Sequence, residues 1–146
     1  ALRGTPCRTF MSDMKLHIAS ADAYVYPDVF VTCHEADRAP AADLMKHHPS
    51  LVVEVLSDST GAYDRGRKFE LYRSIAGLAE VLFVQADRPQ VDLFRLNPAD
   101  GLWVLHPSSG LDARLSLTSL DVELPLAALY DEVLPGDAPA GGTGTA

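Results

Sequence analysis

A single glutamate interrupts an otherwise apolar segment near the middle of the chain. Residues 51–56 read LVVEVL and lie within "PSLVVEVLSDST", residues 49–60. A run of this length that is apolar on both faces predicts a fully buried strand. Strand alternation places Glu54 on the same face as Val52 and Leu56. Because an isolated buried carboxylate is costly, Glu54 must be paired, protonated or bound to a metal.

Asp28 is the first candidate partner of Glu54. It lies near the start of "YPDVFVTC", residues 26–33, which predicts a strand that begins after a proline. Sequential strands often pair, and pairing with 51–56 would place the two carboxylates roughly 5 Å apart on one face. Carboxylates that close repel each other unless a divalent cation lies between them. Mg²⁺ suits such a site, because it binds one or two carboxylates and keeps positions for waters and a phosphate.

Lys68 is the second candidate partner, and it belongs to the predicted main helix. The segment 58–77 contains helix-start residues, a helical body over about 63–76 and a glycine stop. Lys68 shares a stripe with Leu71 and Ile75, so its side chain is expected to face the sheet. There its ammonium could neutralise the carboxylate pair, orient a water or stabilise charge on a reacting phosphate.

Four further residues of this helix lie close to Lys68 in sequence. Tyr72, one turn later, and Asp64, one turn earlier, are possible neighbours of the site. Helix–sheet packing is the alternative role for Tyr72, and a favourable interaction with the helix dipole is the alternative for Asp64. Arg65 and Arg67 form a small basic cluster with Lys68, which could contact a phosphate or remain a solvated face.

The remaining pattern predicts an α+β fold with a mostly antiparallel sheet, one main helix crossing it and a C-terminal β-meander. Apolar alternation after the helix predicts strands joined by turns, and a short closing helix starts at Pro125. Two short strands precede the Asp28 strand. The predicted short strands before and after these central elements are 7–10, 15–19, 80–85, 90–97, 101–107 and 113–117.

Length and charge limit the classes of function. The 146 residues suit one domain, which we place at 1–134, with a flexible tail at 135–146 and a missing N-terminal piece. A net charge of −8 argues against non-specific coating of nucleic acid, although a local cationic site remains compatible with it. The sequence lacks a run of about 18 apolar residues, so no membrane helix is expected.

The cysteine and histidine content predicts neither a disulfide framework nor a zinc site. Cys7 and Cys33 are the two cysteines, and we interpret both as small apolar residues in a reducing cytoplasm. The pairs Cys33–His34 and His47–His48 are weak zinc candidates, because adjacent side chains diverge and no further pair has zinc-site spacing.

Three motifs in order, "YPDVFVTC", "LVVEVLSDST" and "YDRGRKFELY", resemble the PD-(D/E)XK nuclease superfamily. The closer resemblance is to the Uma-two family of restriction-endonuclease-like proteins, and it continues through "AEVLFVQADRPQVDLFRL" to cover roughly residues 7–130. The resemblance implies a restriction-endonuclease-like fold. It also implies a metal-dependent nuclease that hydrolyses phosphodiester bonds by water, with DNA as the expected substrate.

The resemblance also implies roles for individual residues. Asp28 and Glu54, with the backbone carbonyl of Val55, would bind Mg²⁺ or Mn²⁺, and Lys68 would complete the catalytic set. The superfamily's usual lysine position is occupied here by Leu56, so the resemblance implies that the lysine has moved to the helix. The family's N-terminal region, which includes a helix that can add an acidic residue, is largely absent.

Two further expectations concern catalysis and assembly. The alternative to a nuclease is a catalytically silent binding or interaction protein on the same fold, in which Glu54 and Lys68 are only paired. The resemblance implies a homodimer, and one acidic domain of this size offers little surface for DNA.

Overall fold

The computed structural model describes residues 4–39, 44–57 and 61–131, and the predicted tail at 135–146 lies outside these ranges. A six-stranded sheet of order β1-β4-β6-β7-β8-β9 forms the centre, with a three-stranded sheet β3-β2-β5 and a two-stranded sheet β10-β11. The strands are β1 Arg8–Met11, β2 Lys15–Ile18, β3 Ala23–Val25, β4 Val29–Thr32, β5 Met45–Lys46, β6 Pro49–Leu56, β7 Glu80–Gln85, β8 Gln90–Asn97, β9 Leu102–Ser109, β10 Arg114–Leu117 and β11 Val122–Pro125. The helices are α1 Glu35–Arg38, α2 Gly61–Tyr72 and α3 Leu126–Tyr130.

The central sheet is mixed, and its one parallel contact lies between β6 and β7. Helix α2 connects these two strands, because parallel neighbours need a crossover. β4 pairs with β6, as expected, and the pairing is antiparallel, with Val29 opposite Val53. Strands β7 to β9 form the expected meander, whereas the fourth strand predicted for it, 113–117, is β10 of the separate β10–β11 sheet. The predicted α+β class, with one main crossing helix, is therefore confirmed.

β6 contributes buried side chains to both faces of the sheet, although Val55 near its end is 37% exposed, and this explains why most of its residues are apolar. One face carries Val52 and Leu56, which pack in a cluster with Tyr72 of α2 and with residues of β2. The opposite face carries Leu51, which packs with residues of the β10–β11 hairpin and of α3, including Tyr130. Glu54 alternates onto the α2 face, where it lies between the helix and the sheet.

The described residues of the connection between β4 and β6, 34–39 and 44–48, form a folded unit. It contains α1 and β5, and the buried Asp37 holds it in place. Asp37 accepts hydrogen bonds from Thr32 Oγ1 at 2.9 Å and from the backbone N–H of His48 at 2.7 Å. This carboxylate explains the segment's structure, because it satisfies donors that a buried loop would otherwise leave unpaired.

The main helix is shorter than predicted, since α2 ends at Tyr72.

The interpretation of the two cysteines as unpaired apolar residues is wrong. Cys7 and Cys33 form a disulfide. They become neighbours because β1 pairs with β4, where Arg8 lies opposite Thr32. The expectation of a reducing compartment was based on unpaired cysteines, so the cysteines no longer support it. The bond lies on the sheet face opposite Glu54, where both cysteines pack against the second core cluster.

Reduction of the Cys7–Cys33 disulfide is expected to lower the free energy of unfolding by about 2 to 4 kcal/mol. The bond joins residues 26 positions apart, so it restricts a substantial loop of the unfolded chain. Urea unfolding with and without dithiothreitol measures the difference. A Cys7→Ser/Cys33→Ser variant is the control, since it should unfold like the reduced protein and ignore the reductant. Equal stability of oxidised and reduced wild type would contradict the prediction.

Candidate active site

Glu54 has both carboxylate oxygens engaged inside the protein. The residue is only 2% exposed. Tyr72 donates its phenolic O–H to Oε2, and Lys68 Nζ donates to Oε1 at 3.2 Å. Tyr72 is itself buried, whereas the Lys68 side chain is 39% exposed. The carboxylate therefore lies at the base of a site whose outer wall is a solvent-accessible lysine.

Asp28 lies beside Glu54, at the point where β4 begins. Its Oδ2 accepts a hydrogen bond from the backbone N–H of Val55 at 2.8 Å. The antiparallel pairing of Val29 with Val53, continued by one residue, places Asp28 opposite Glu54 on the same face. The N–H and C=O of one strand residue point to the same edge, so we expect the Val55 carbonyl on the side of Asp28. The expected residues Asp28, Glu54, Val55 and Lys68 thus lie together.

Burial dominates the electrostatics of Glu54 and raises its pKa above the ordinary value. The hydrogen bond from Tyr72 and the charge of Lys68 lower the pKa again, and the charge of Asp28 raises it. Burial and the nearby Glu54 carboxylate also raise the pKa of Tyr72, so the phenol stays protonated and remains a donor. Burial therefore works against the ionised form of Glu54, which is unfavourable for a purely structural ion pair.

A second carboxylate–cation pair lies on the same face, and the sequence analysis did not identify it. Arg65 Nη1 donates to Oδ2 of Asp92, whose side chain is 10% exposed. Glu54 lies opposite Phe83 of β7, and Phe83 lies opposite Asp92 of β8, so all three side chains share one face. The signal in the sequence was the acidic residue at an inward position of the alternating strand 90–97, which faces the helix.

The oxygen donors of the site suit a hard divalent cation. Asp28 and Glu54 provide carboxylates, and Val55 provides a carbonyl. Mg²⁺ and Mn²⁺ prefer such ligands and need few from the protein, because waters and a substrate phosphate complete the shell. Among the described residues, no group of three His, Cys, Asp or Glu side chains could hold a metal. The side chain of Asp64, a predicted neighbour, lies outside the described part.

The sequence comparisons place this chain in a family. A family model described as "Putative restriction endonuclease", Uma2, matches residues 1–127. The chain belongs to the Uma2 family. The resemblance recognised in its motifs is thereby confirmed.

Two curated relatives of this Uma2 chain come from Synechocystis sp. (strain ATCC 27184 / PCC 6803 / Kazusa), and both are named as uncharacterized proteins. The protein slr1290 is 39% identical over 129 residues, which cover 88% of this chain and 66% of the relative. The protein sll1609 is 33% identical over 113 residues, which cover 77% of this chain and 63% of the relative. This Uma2 chain therefore spans about two thirds of the length of each relative.

A solved structure shows the same fold. It is described as "a putative nuclease belonging to DUF820" from Anabaena variabilis ATCC 29413, and its TM-score to this Uma2 chain is 0.70. The match covers 90% of this chain and 72% of that one at 15% identity, so it supports the fold alone. In the described part of the chain, no helix is both long enough and apolar enough to cross a membrane.

Replacing Tyr72 by Phe is expected to raise the pKa of Glu54 further in this Uma2 chain. The Tyr72 hydrogen bond favours the ionised carboxylate, and its loss leaves burial less opposed. Carbon-13 NMR of the Glu54 carboxyl group, titrated in EDTA, measures the shift. Tyr130→Phe is the matched control, because that phenol donates to backbone carbonyls near α3 and should leave the Glu54 titration unchanged. A downward or absent shift in Tyr72→Phe would contradict the assignment of the hydrogen bond.

Proposed function

We propose that the chain is a divalent-metal-dependent nuclease that hydrolyses phosphodiester bonds in DNA. One observation carries the proposal: a buried glutamate faces an aspartate on the neighbouring strand and a lysine on the crossing helix. The Uma2 family and the nuclease-like fold support the same reaction class. Acidic side chains lie beside a cation at a partly buried site, and these are groups that phosphoryl chemistry needs.

The three side chains have distinct proposed roles. Asp28 and Glu54, with the Val55 carbonyl, hold Mg²⁺ or Mn²⁺. When bound, such an ion polarises a phosphate and lowers the pKa of water. The Val55 N–H fixes the Asp28 carboxylate in position. Lys68 lies between Glu54 and solvent, so its ammonium can orient an attacking water or stabilise the negative charge that develops on the phosphate.

A catalytically silent binding protein is the second candidate. It is favoured by the internal pairing of Glu54, since Tyr72 and Lys68 already satisfy both of its oxygens. A metal would have to compete with one of these donors for the carboxylate. The net charge of −8 also makes DNA binding depend on local cations.

Cleavage of supercoiled plasmid DNA with Mn²⁺ and with EDTA tests the nuclease directly. We expect nicked and linear products with Mn²⁺ alone. Isothermal titration with Mn²⁺ should show binding that Asp28→Asn and Glu54→Gln each weaken strongly, because each change removes an anionic ligand. Absence of cleavage, together with Mn²⁺ binding that ignores both changes, would favour the silent alternative.

We also propose that the chain acts as a homodimer. A single acidic domain has few cations with which to hold DNA, and two copies would double the contacts with phosphate. Light scattering after size-exclusion chromatography measures the mass directly. A monomer at working concentration would reject this part of the proposal and leave the assignment of the site unaffected.

A further inference from the structure

The Arg65 guanidinium, at the edge of the candidate site, has N–H donors that its bond to Asp92 does not use. Its hydrogen bond to Asp92 uses one N–H of Nη1, and its other N–H groups have no partner among the described residues. A guanidinium carries five N–H donors in a rigid fork that suits phosphate oxygens. The Arg65 side chain is 39% exposed, whereas Asp92 is nearly buried. One end of the fork is therefore anchored, and the group as a whole stays accessible.

Arg65 and Lys68 lie on the same side of α2. They are three residues apart, a spacing that brings side chains together on one helix face. Lys68 contacts Glu54, and Arg65 contacts Asp92. The helix therefore places two cations over one row of side chains across the sheet, formed by Glu54, Phe83 and Asp92. Glu54 and Asp92 are two strands apart, roughly 9 to 10 Å. Arg65 is thus close to the proposed reaction centre without being part of it.

Aromatic packing of Phe69, which directly follows Lys68, fixes the position of α2 on the sheet. The Phe69 ring stacks on Phe94 of β8 at a centroid distance of 4.2 Å and meets Trp103 of β9 edge-on at 5.6 Å. These contacts join α2 to the strand that carries Asp92. A group supported in this way is better positioned than one on a free loop.

The balance of charges around the site indicates a role for Arg65 in attracting phosphate. Asp28, Glu54 and Asp92 carry three potential negative charges along the row, and Lys68 and Arg65 oppose them with two positive charges. A divalent ion would reverse the sign of this excess. Without a metal the row repels a phosphate, so an exposed guanidinium at its edge is the group that can first attract one.

We infer that Arg65 binds a backbone phosphate flanking the one that is cleaved, and that Asp92 is the positioning residue for this contact. The inference rests on the proposed nuclease function and deepens it, because nothing in that proposal requires a second phosphate site. The buried carboxylate holds one edge of the fork, and the remaining donors bind non-bridging phosphate oxygens. A solely structural Arg65–Asp92 pair would instead hold α2 on β8 without touching substrate.

Salt dependence of DNA binding tests the phosphate contact. The probe is a short fluorescein-labelled DNA duplex, followed by anisotropy with Ca²⁺ in place of Mn²⁺ to limit turnover. Arg65→Gln is expected to weaken binding about tenfold. It is also expected to reduce the slope of log K against log salt by about 0.9, the loss of one phosphate contact. Arg73→Gln, an equal charge change at the exposed residue that directly follows α2, should leave the slope unchanged.

Two further variants separate positioning from folding. Asp92→Asn is expected to raise KM for plasmid cleavage in Mn²⁺ with kcat nearly unchanged, because it loosens Arg65 without removing a reacting group. Arg65→Lys keeps the charge and should melt like the wild type, yet it should not restore KM, because ammonium lacks the planar fork.

Each outcome decides between the proposals. Wild-type cleavage with unchanged salt slopes for Arg65→Gln would overturn the inference and leave the nuclease standing. DNA binding with the expected slope change but no cleavage would keep the phosphate contact and reject catalysis. A wild type that neither binds nor cleaves DNA would overturn both.

Discussion

Glu80→Gln is expected to lower the free energy of unfolding by about 3 to 5 kcal/mol, the usual effect of breaking a buried ion pair. Glu54→Gln, measured in EDTA, is expected to change it by about 1 kcal/mol or less. Both glutamates are buried on central strands. Their surroundings differ, and urea unfolding of the two variants against wild type compares them directly.

Glu80 is a structural carboxylate with a complete set of partners. Arg95 Nε donates to its Oε2 at 2.9 Å, and Ser119 donates its backbone N–H to Oε1 at 3.0 Å. The Ser119 hydroxyl donates to Oε1 as well, and Thr118 Oγ1 donates to Oε2 at 3.4 Å. Neutralising Glu80 leaves these donors facing an amide and leaves Arg95 without its counter-charge, which is the costly case for a buried network.

Glu54 has fewer donors than Glu80, one on each carboxylate oxygen. Burial and the charge of Asp28 both disfavour its ionised form. A glutamine can still accept the Tyr72 hydrogen bond through its amide oxygen. Lys68 does not become a stranded buried charge, because more than a third of its side chain is exposed and its ammonium can turn to water. The cost of removing the Glu54 charge is therefore offset by the relief of desolvation and repulsion.

The pH dependence of stability independently tests the sign of the Glu54→Gln effect. The folded-state pKa of Glu54 lies above the ordinary value of 4.5, so its contribution to stability is full below about pH 4.5. That contribution is lost as the pH rises through the raised pKa. Glutamine does not titrate, so the stability of Glu54→Gln relative to the wild type should increase between pH 4.5 and neutrality. A cost at neutral pH as large as that of Glu80→Gln would instead make Glu54 a structural anchor and favour the non-catalytic alternative.

The centre of the fold could be predicted because its signals are local. The apolar run around Glu54 required burial on both faces, and the β10–β11 hairpin and α2 provide it. The position of Lys68 followed from helical spacing alone. Asp28 needed one further step, the pairing of β4 with β6, and sequential strands commonly pair.

Other contacts depend on pairings that periodicity does not encode. The first two strands were predicted on either side of one turn, yet β1 enters the central sheet and β2 the three-stranded sheet. That separation places Cys7 beside Cys33. Asp92 reaches the row of Glu54 only through the registers of β6 with β7 and of β7 with β8. Strand register is set by tertiary packing, so the Arg65–Asp92 pair could not be found from spacing.

Lys68→Met is expected to slow Mn²⁺-dependent DNA cleavage about 10²- to 10³-fold, the usual cost of removing one preorganised electrostatic group. Methionine keeps much of the apolar stem, so packing against the sheet should survive. Mn²⁺ affinity is expected to stay the same or to increase, because Lys68 no longer competes for Glu54 Oε1 at 3.2 Å. Single-turnover cleavage and isothermal titration with Mn²⁺ measure the two quantities separately.

The opposite changes in rate and metal affinity distinguish a catalytic lysine from a structural one. Lys15→Met is the matched control, because Lys15 lies on β2 over the Tyr24 ring, away from Glu54, and should leave both quantities unchanged. A structural pair would behave differently: Lys68→Met would lower stability, and any loss of activity would follow the fraction unfolded. If Lys68→Met stays folded, binds Mn²⁺ and cleaves at the wild-type rate, the lysine has no part in the reaction. The expectation that the lysine has moved from the strand position of Leu56 to the helix would then be wrong.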